Sequence, residues 1–299
     1  MDDPAAGHPV QIPQSYVDMP RWWTGGTEWL RGLPDAIRYR CDAWDLRVAG
    51  TVRHGSNAVV VPVDRGAGEY VLRLTPPGPE TAELVRALRF WAGRGTVHLV
   101  DADVPAGAVL LERLALDRTL ADVDVHEAVT VLGGMMRRLA VPAPADVPST
   151  ADLVRRRAGE LDAQWRGLGA PFDRRILDAA LDAAPGLWRT EGDLAVDGDL
   201  HSAQVLPGHR ERWLTVDPVL LRGDIGYDLG RVLWTRLDDM PDDATIRRCL
   251  AAAVDAAGLD RDRARAGVLF RTVDYWLWGL GVGLTEDPVR CARLVAALG

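Results

Sequence analysis

Apolar residues change their spacing twice along the chain. In the segment GTEWLRGLPDAIRYRCDAW, Trp29, Leu30, Leu33, Ile37 and Trp44 recur at roughly helical intervals around Pro34, which predicts one or two short amphipathic helices. From Asp45 the period falls to two and β-branched residues dominate: DLRVAGTV, NAVVVPV and EYVLRLT, separated by the glycine-bearing turns RHGS and DRGAG. Such alternation predicts an antiparallel meander. In PETAELVRALRFWAGRG a helical stripe returns with Leu84, Leu88 and Trp91, Pro79 suiting its first turn and Gly93 or Gly95 its end. The runs TVHLVDAD and GAVLLERL then complete a sheet of about five strands with one helix on it.

From Thr119 onward the periodicity is mainly helical, interrupted by the proline-rich loop VPAPADVPST. The pattern predicts an α+β chain of two parts: a small sheet lobe over residues 1–114, its first dozen residues frayed, and a larger helical lobe over 115–299. There is no internal repeat.

Composition narrows the function. With 299 residues and 47% hydrophobic content the chain can bury a substantial core. Its net charge of −8 argues against a nucleic-acid partner. Neither a membrane span nor a signal peptide is expected, and Cys41, Cys249 and Cys291 lack the spacing of a zinc site or disulfide framework. A reduced, cytoplasmic setting is the expectation.

Within this ordinary background, DGDLHSAQVL and the following WLTVDPVLLRGDIGYDLG place Asp197, Asp199, Asp217, Asp224 and Asp228 in one short span. Carboxylates crowded without bases favour a proton or a divalent cation. Both stretches read as short extended arms around a loop, so Asp199, Gln204 and Asp217 can converge. An all-oxygen ligand set suits Mg²⁺, with phosphate oxygens completing it.

The pattern GDLHxxxVL…WLxxDPxxLxGDxxxDL resembles the aminoglycoside phosphotransferase family of kinase-like enzymes, in particular its streptomycin-kinase and hydroxyurea-resistance branch. The likeness spans most of residues 25–285, including VVVPV…YVLRL, LRFWAGRGTVHLVDAD and AVLLERL. It implies a two-lobe protein-kinase-like fold and transfer of the γ-phosphoryl group of ATP or GTP, with Mg²⁺, to a hydroxyl of a small molecule such as an antibiotic or secondary metabolite. By the resemblance, Asp199 is the catalytic base, while Gln204 and Asp217 hold the metal. Arg73 grips phosphate, paired with Glu80 or Glu83. Gly55 and Ser56 cover the phosphates, and Glu112 to Leu114 meet adenine. His201, Asp224 and Asp228 brace the loop.

Three positions depart from the family pattern: Arg73 replaces its lysine, Gln204 its asparagine, and Asp197 its histidine, adding charge beside the base. Two alternatives therefore stand beside the small-molecule kinase, namely a peptide Ser/Thr phosphotransferase and a pseudokinase that acts as a binding or partner protein. In RTVDYWLWGLGVGL, where the family helix near the acceptor carries acids, Gly279 and Gly281 appear instead; Asp274, Tyr275, Trp276 and Trp278 suggest a more aromatic acceptor pocket.

Overall fold

The alternating segments pair into an antiparallel sheet, and the helical stripes become helices. The computed structural model describes residues 10–19, 26–189 and 192–298. The chain divides into two compact units, Met1–Leu116 and Asp117–Gly299.

The first unit runs α1 (Gln14–Val17), α2 (Gly26–Ala43), β1 (Arg47–Val48), β2 (Arg53–His54), β3 (Val59–Arg65), β4 (Gly68–Leu74), α3 (Pro79–Trp91), β5 (Leu99–Asp103) and β6 (Ala108–Glu112). Its sheet has six strands in the order β1-β3-β4-β6-β5, with β2 also on β3. The stretch DLRVAGTV, expected as one strand, contributes only β1 and β2 with irregular chain between them. Pro62 explains the gap: its carbonyl accepts from Ala49 N–H at 2.8 Å on this edge, but it has no N–H to return.

Helix α2 continues through Pro34 instead of breaking. An interior proline costs about 3 kcal/mol. Burying Leu33 and Ile37 completely against Val59, Val61, Leu72 and Leu110 outweighs it, at roughly 1.5–3 kcal/mol for each large apolar side chain. Of the dozen residues expected to fray, 1–9 lie outside the described residues, whereas Val10 and Ile12 pack against this same core.

The second unit comprises α4 (Val125–Leu139), α5 (Thr150–Gly167), α6 (Arg174–Trp188), β7 (Leu194–Asp197), β8 (Val205–Leu206), β9 (Leu214–Thr215), β10 (Leu220–Gly223), α7 (Leu229–Trp234), α8 (Asp243–Ala257), α9 (Arg261–Gly281) and α10 (Glu286–Leu298). Side-chain oxygens of Asp124, Ser149, Asp173, Asp242 and Asp260 cap five of these helices. The acidic run near Asp242 is spent in this way: Asp242 caps α8, Asp239 meets Arg236 and Asp238 meets Arg290. One core joins α4, α7, α8 and α9 around the buried Trp234; another joins α5, α6, α9 and α10 around Phe270.

No helix among the described residues is long and apolar enough to cross a membrane. All three cysteines are buried free thiols.

Candidate active site

Strands β7 and β10 form an antiparallel pair with Leu220 opposite Asp197, and β8 and β9 form a second pair nested inside it. Residues 198–204 are therefore the outward loop of one arm, and Asp217 lies on the return of the other. Gly198 opens the first turn: its N–H donates to Val219 O at 2.9 Å, and a Cβ there would lie 2.5 Å from Leu221 Cδ1, so that side chain would have to shift. The arms are tied again where Val216 N–H donates to Gln204 O at 3.0 Å.

Asp199 is held from two sides. Its Oδ2 accepts from Gln204 Nε2 at 3.1 Å, and its Oδ1 forms an ion pair with Arg231 Nε. Burial pushes the Asp199 carboxyl above the usual range, Arg231 and Gln204 pull it back, and the charge of Asp217 raises it again. Asp197 lies deeper, only 1% exposed. Burial is the main cause that raises its carboxyl to about 7, against the pull of two backbone N–H bonds. Asp228 is also buried, and its carboxyl is pushed up first by burial and then by Asp197. His201 is lowered to about 3 by burial and by Arg231, so its ring is neutral at physiological pH.

The amide of Gln204 bears on metal binding. Its Nε2 donates to a carboxylate, which fixes Oε1 as the other end, and that oxygen is buried with no partner among the described residues. An orphaned acceptor beside Asp199 and near Asp217 fits a cation. Among the described residues no group of three or more His, Cys, Asp or Glu side chains is arranged around a metal position. The available donors are thus one amide oxygen and carboxylate oxygen, a set that suits Mg²⁺ when phosphate and water supply the remaining ligands.

Other expected residues sit as follows. Asp224 braces a different part of the fold from the loop: its Oδ1 accepts from Gly226 N–H at 2.8 Å and its Oδ2 from Arg263 Nε at 2.6 Å, fixing the turn before α7 to α9. In the first unit, Gly55 closes a tight turn through its N–H to Ala58 O at 2.9 Å, beside Ser56. Glu80 accepts from Asn57 Nδ2 at 3.1 Å, tying that turn to the start of α3, where Glu83 is exposed. Arg73 lies mid-sheet between Val60 and Val109. Glu112 Oε1 accepts from His98 N–H at 2.8 Å, and Leu114 is buried.

On α9, Asp274 is gripped by Arg157 Nε at 2.7 Å and Arg271 Nη1 at 3.5 Å. These three residues, with Tyr275 and Trp278, line an open hollow of about 260 Å³. Tyr275 stacks between Trp234, at 4.5 Å, and Trp278, at 5.3 Å. Trp278 is 46% exposed, but Trp276, expected to line the same pocket, packs at 4.3 Å against Phe172 and belongs to the core. Sequence reading overlooked Arg231, and it took Asp197 only as an added charge. No local spacing links Arg231 to Asp199, 32 positions earlier in the sequence; the pair depends on where α7 packs.

Residues 43–283 match the family described as aminoglycoside/hydroxyurea antibiotic resistance kinase. The streptomycin 6-kinase of Streptomyces griseus is 37% identical over 267 residues, covering 87% of each chain. A hydroxyurea phosphotransferase of Kitasatospora aureofaciens is 36% identical over 302 residues, 95% of this chain and 84% of the relative. Among solved structures, aminoglycoside phosphotransferase APH(4)-Ia superposes with a TM-score of 0.60 at 18% identity, over 88% of this chain and 98% of that one, so the kinase-like fold is shared. The chain belongs to the aminoglycoside/hydroxyurea antibiotic resistance kinase family.

Proposed function

We propose that Asp199 is the base of a phosphotransferase that moves the γ-phosphoryl group of ATP or GTP to a hydroxyl of a small molecule, with Gln204 and Asp217 holding Mg²⁺. The Gln204 amide is the observation that carries the reading: one end is spent on Asp199 and the other is a buried, unpartnered oxygen. Asp199 orients the acceptor hydroxyl and takes its proton as the new P–O bond forms and the nucleoside diphosphate leaves. Positioned base catalysis of this kind contributes about 10²–10⁴-fold. Arg231 favours the ionised form of Asp199 against its burial, and the Gln204 Nε2 bond fixes the direction of its carboxylate. Bound Mg²⁺ neutralises the charge that gathers on the phosphates. Arg73 and the turn at Gly55 and Ser56 are the phosphate contacts of the N-terminal unit in this reading, and a reduced cytoplasm is its setting.

The hollow on α9 bears on the acceptor. Asp274 is already paired with two guanidinium groups, so a polycationic sugar finds no uncommitted carboxylate in Asp274. A less cationic alcohol that covers the face of Trp278 fits better. Streptomycin and hydroxyurea, named for the relatives, are the first two acceptors to compare with neutral aromatic alcohols.

The test is ATP binding by calorimetry with and without Mg²⁺, for the native chain and Gln204→Leu, followed by mass-spectrometric detection of phosphorylated acceptor. Binding at least tenfold tighter with Mg²⁺, and loss of that gain in Gln204→Leu, is expected. Equal binding with and without the metal sinks the metal assignment. Metal-dependent binding with no transfer to any acceptor favours a nucleotide-binding partner protein.

A further inference from the structure

The end of β7 contains a feature that the proposed chemistry leaves unused. Asp197 is buried, and it feels the charges of Asp199, Asp217 and Asp228 with no cation in ion-pair reach among the described residues. Among those residues its Oδ2 has no hydrogen-bond partner, and neither has Oδ1 of the neighbouring Asp228. For folding alone such a group is a poor choice, because an acid removed from water without a basic partner is costly and an apolar side chain fills the same place more cheaply.

Its other oxygen gives the compensating contact. Oδ1 accepts from the backbone N–H of Asp199 at 3.2 Å and from that of Val219 at 3.1 Å. These two N–H groups lie on opposite arms: one belongs to the loop after β7, the other to the chain between Asp217 and β10. At Asp199 the chain has already left the β7·β10 ladder, which ends at the Asp197–Leu220 pair. Just beyond that pair a single backbone bond, Gly198 N–H to Val219 O at 2.9 Å, ties the arms, and the Asp197 side chain adds the acceptor that takes up the N–H groups of Asp199 and Val219.

We propose that Asp197 is a positioning residue whose Oδ1 fixes the Asp199 segment against the Asp217 segment, so that base and metal ligand are presented together. The proposal rests on the assignment of Asp199 and Asp217 above, but the brace itself is read without it. Its consequence is specific: an acceptor oxygen is needed at this position, and a negative charge is not. Asp197→Asn retains an oxygen for both N–H groups, whereas Asp197→Val removes it.

Amide hydrogen exchange at residues 199 and 219 is measured for the native chain and both variants, together with kcat and KM for Mg²⁺-dependent ATP hydrolysis. In Asp197→Val both amides are expected to lose at least tenfold in protection, and kcat is expected to fall at least tenfold while KM for ATP changes less than threefold. Asp197→Asn is expected to recover both protection and kcat. Unchanged protection in Asp197→Val overturns the proposal, and so does equal loss in the two variants. If the native chain hydrolyses neither ATP nor GTP, with or without added acceptor, the donor assignment fails while the exchange data still decide the brace.

Discussion

Burial and its two partners compete over the charge on Asp199. Burial favours the protonated acid, while Arg231 and the Gln204 amide favour the carboxylate, and Asp217 adds repulsion on the side of burial. Since a base must be ionised to accept a proton, Arg231 sets the lowest pH at which the site works. Arg231→Met leaves burial and Asp217 unopposed except by Gln204. The Asp199 carboxyl then rises, and the acid limb of the kcat/KM profile is expected to move to higher pH by about 1–3 units, the range typical of a neighbouring opposite charge. The profile measured from pH 5 to 9 reads this directly. A limb that stays in place shows that the ion pair has no hold on the base. His201 does not supply a competing limb, because burial and Arg231 keep its ring neutral throughout that range, whereas the Asp197 carboxyl, raised to about 7, titrates inside it, so the two profiles are compared in an Asp197→Asn background.

The packing of α4 on α8 supports the loop from below, and it depends on which of two adjacent glycines faces the partner. Gly133 is buried, and a Cβ there would run into the backbone carbonyl oxygen of Ala253. Gly134 is exposed, and a Cβ there would meet nothing within 4 Å. Alanine favours a helix over glycine by about 1 kcal/mol at either position. At Gly133, overpacking against a backbone atom costs about 1–3 kcal/mol, so the clash offsets or exceeds the propensity gain. Gly134→Ala is expected to raise the melting temperature and Gly133→Ala to lower it. Two shifts of the same sign in thermal unfolding refute this account of how closely the two helices approach.

Across the whole molecule, legibility follows the range over which a residue's role is decided. The alternating strands and helical stripes are local patterns dictated by burial, and the sheet and helices follow from them. Pro34 and Pro62 show the exceptions, since tertiary packing carries α2 through the first while the second splits an edge strand. The spacing of Asp199, Gln204 and Asp217 was readable because a loop and short arms bring them together locally. Arg231 reaches Asp199 only through the placement of α7, and Asp197 acts across two arms whose register no spacing reveals. Trp276 and Trp278 were separable in principle: two residues on a helix lie about 200° apart, so one faces the core when the other faces out.

The buried carboxylate also has a consequence for global stability. Its folded value of about 7 lies above the ordinary 3.8, so between these values the folded chain binds more protons than the unfolded one. The contribution of Asp197 is therefore fully present below about pH 4, declines as pH rises toward 7 and is gone above it. His201 runs the other way, its stabilisation present above about 6.5 and lost as pH falls toward 3. Asp197→Asn removes only the first. In urea unfolding its stability is expected to gain on the native chain from pH 5 to 7, by at most roughly 1.4 kcal/mol per pH unit, and the difference then stays level to pH 8. A difference constant from pH 5 to 8 means that the Asp197 carboxyl has the same proton affinity in the folded and unfolded chains, and that its burial does not shift it.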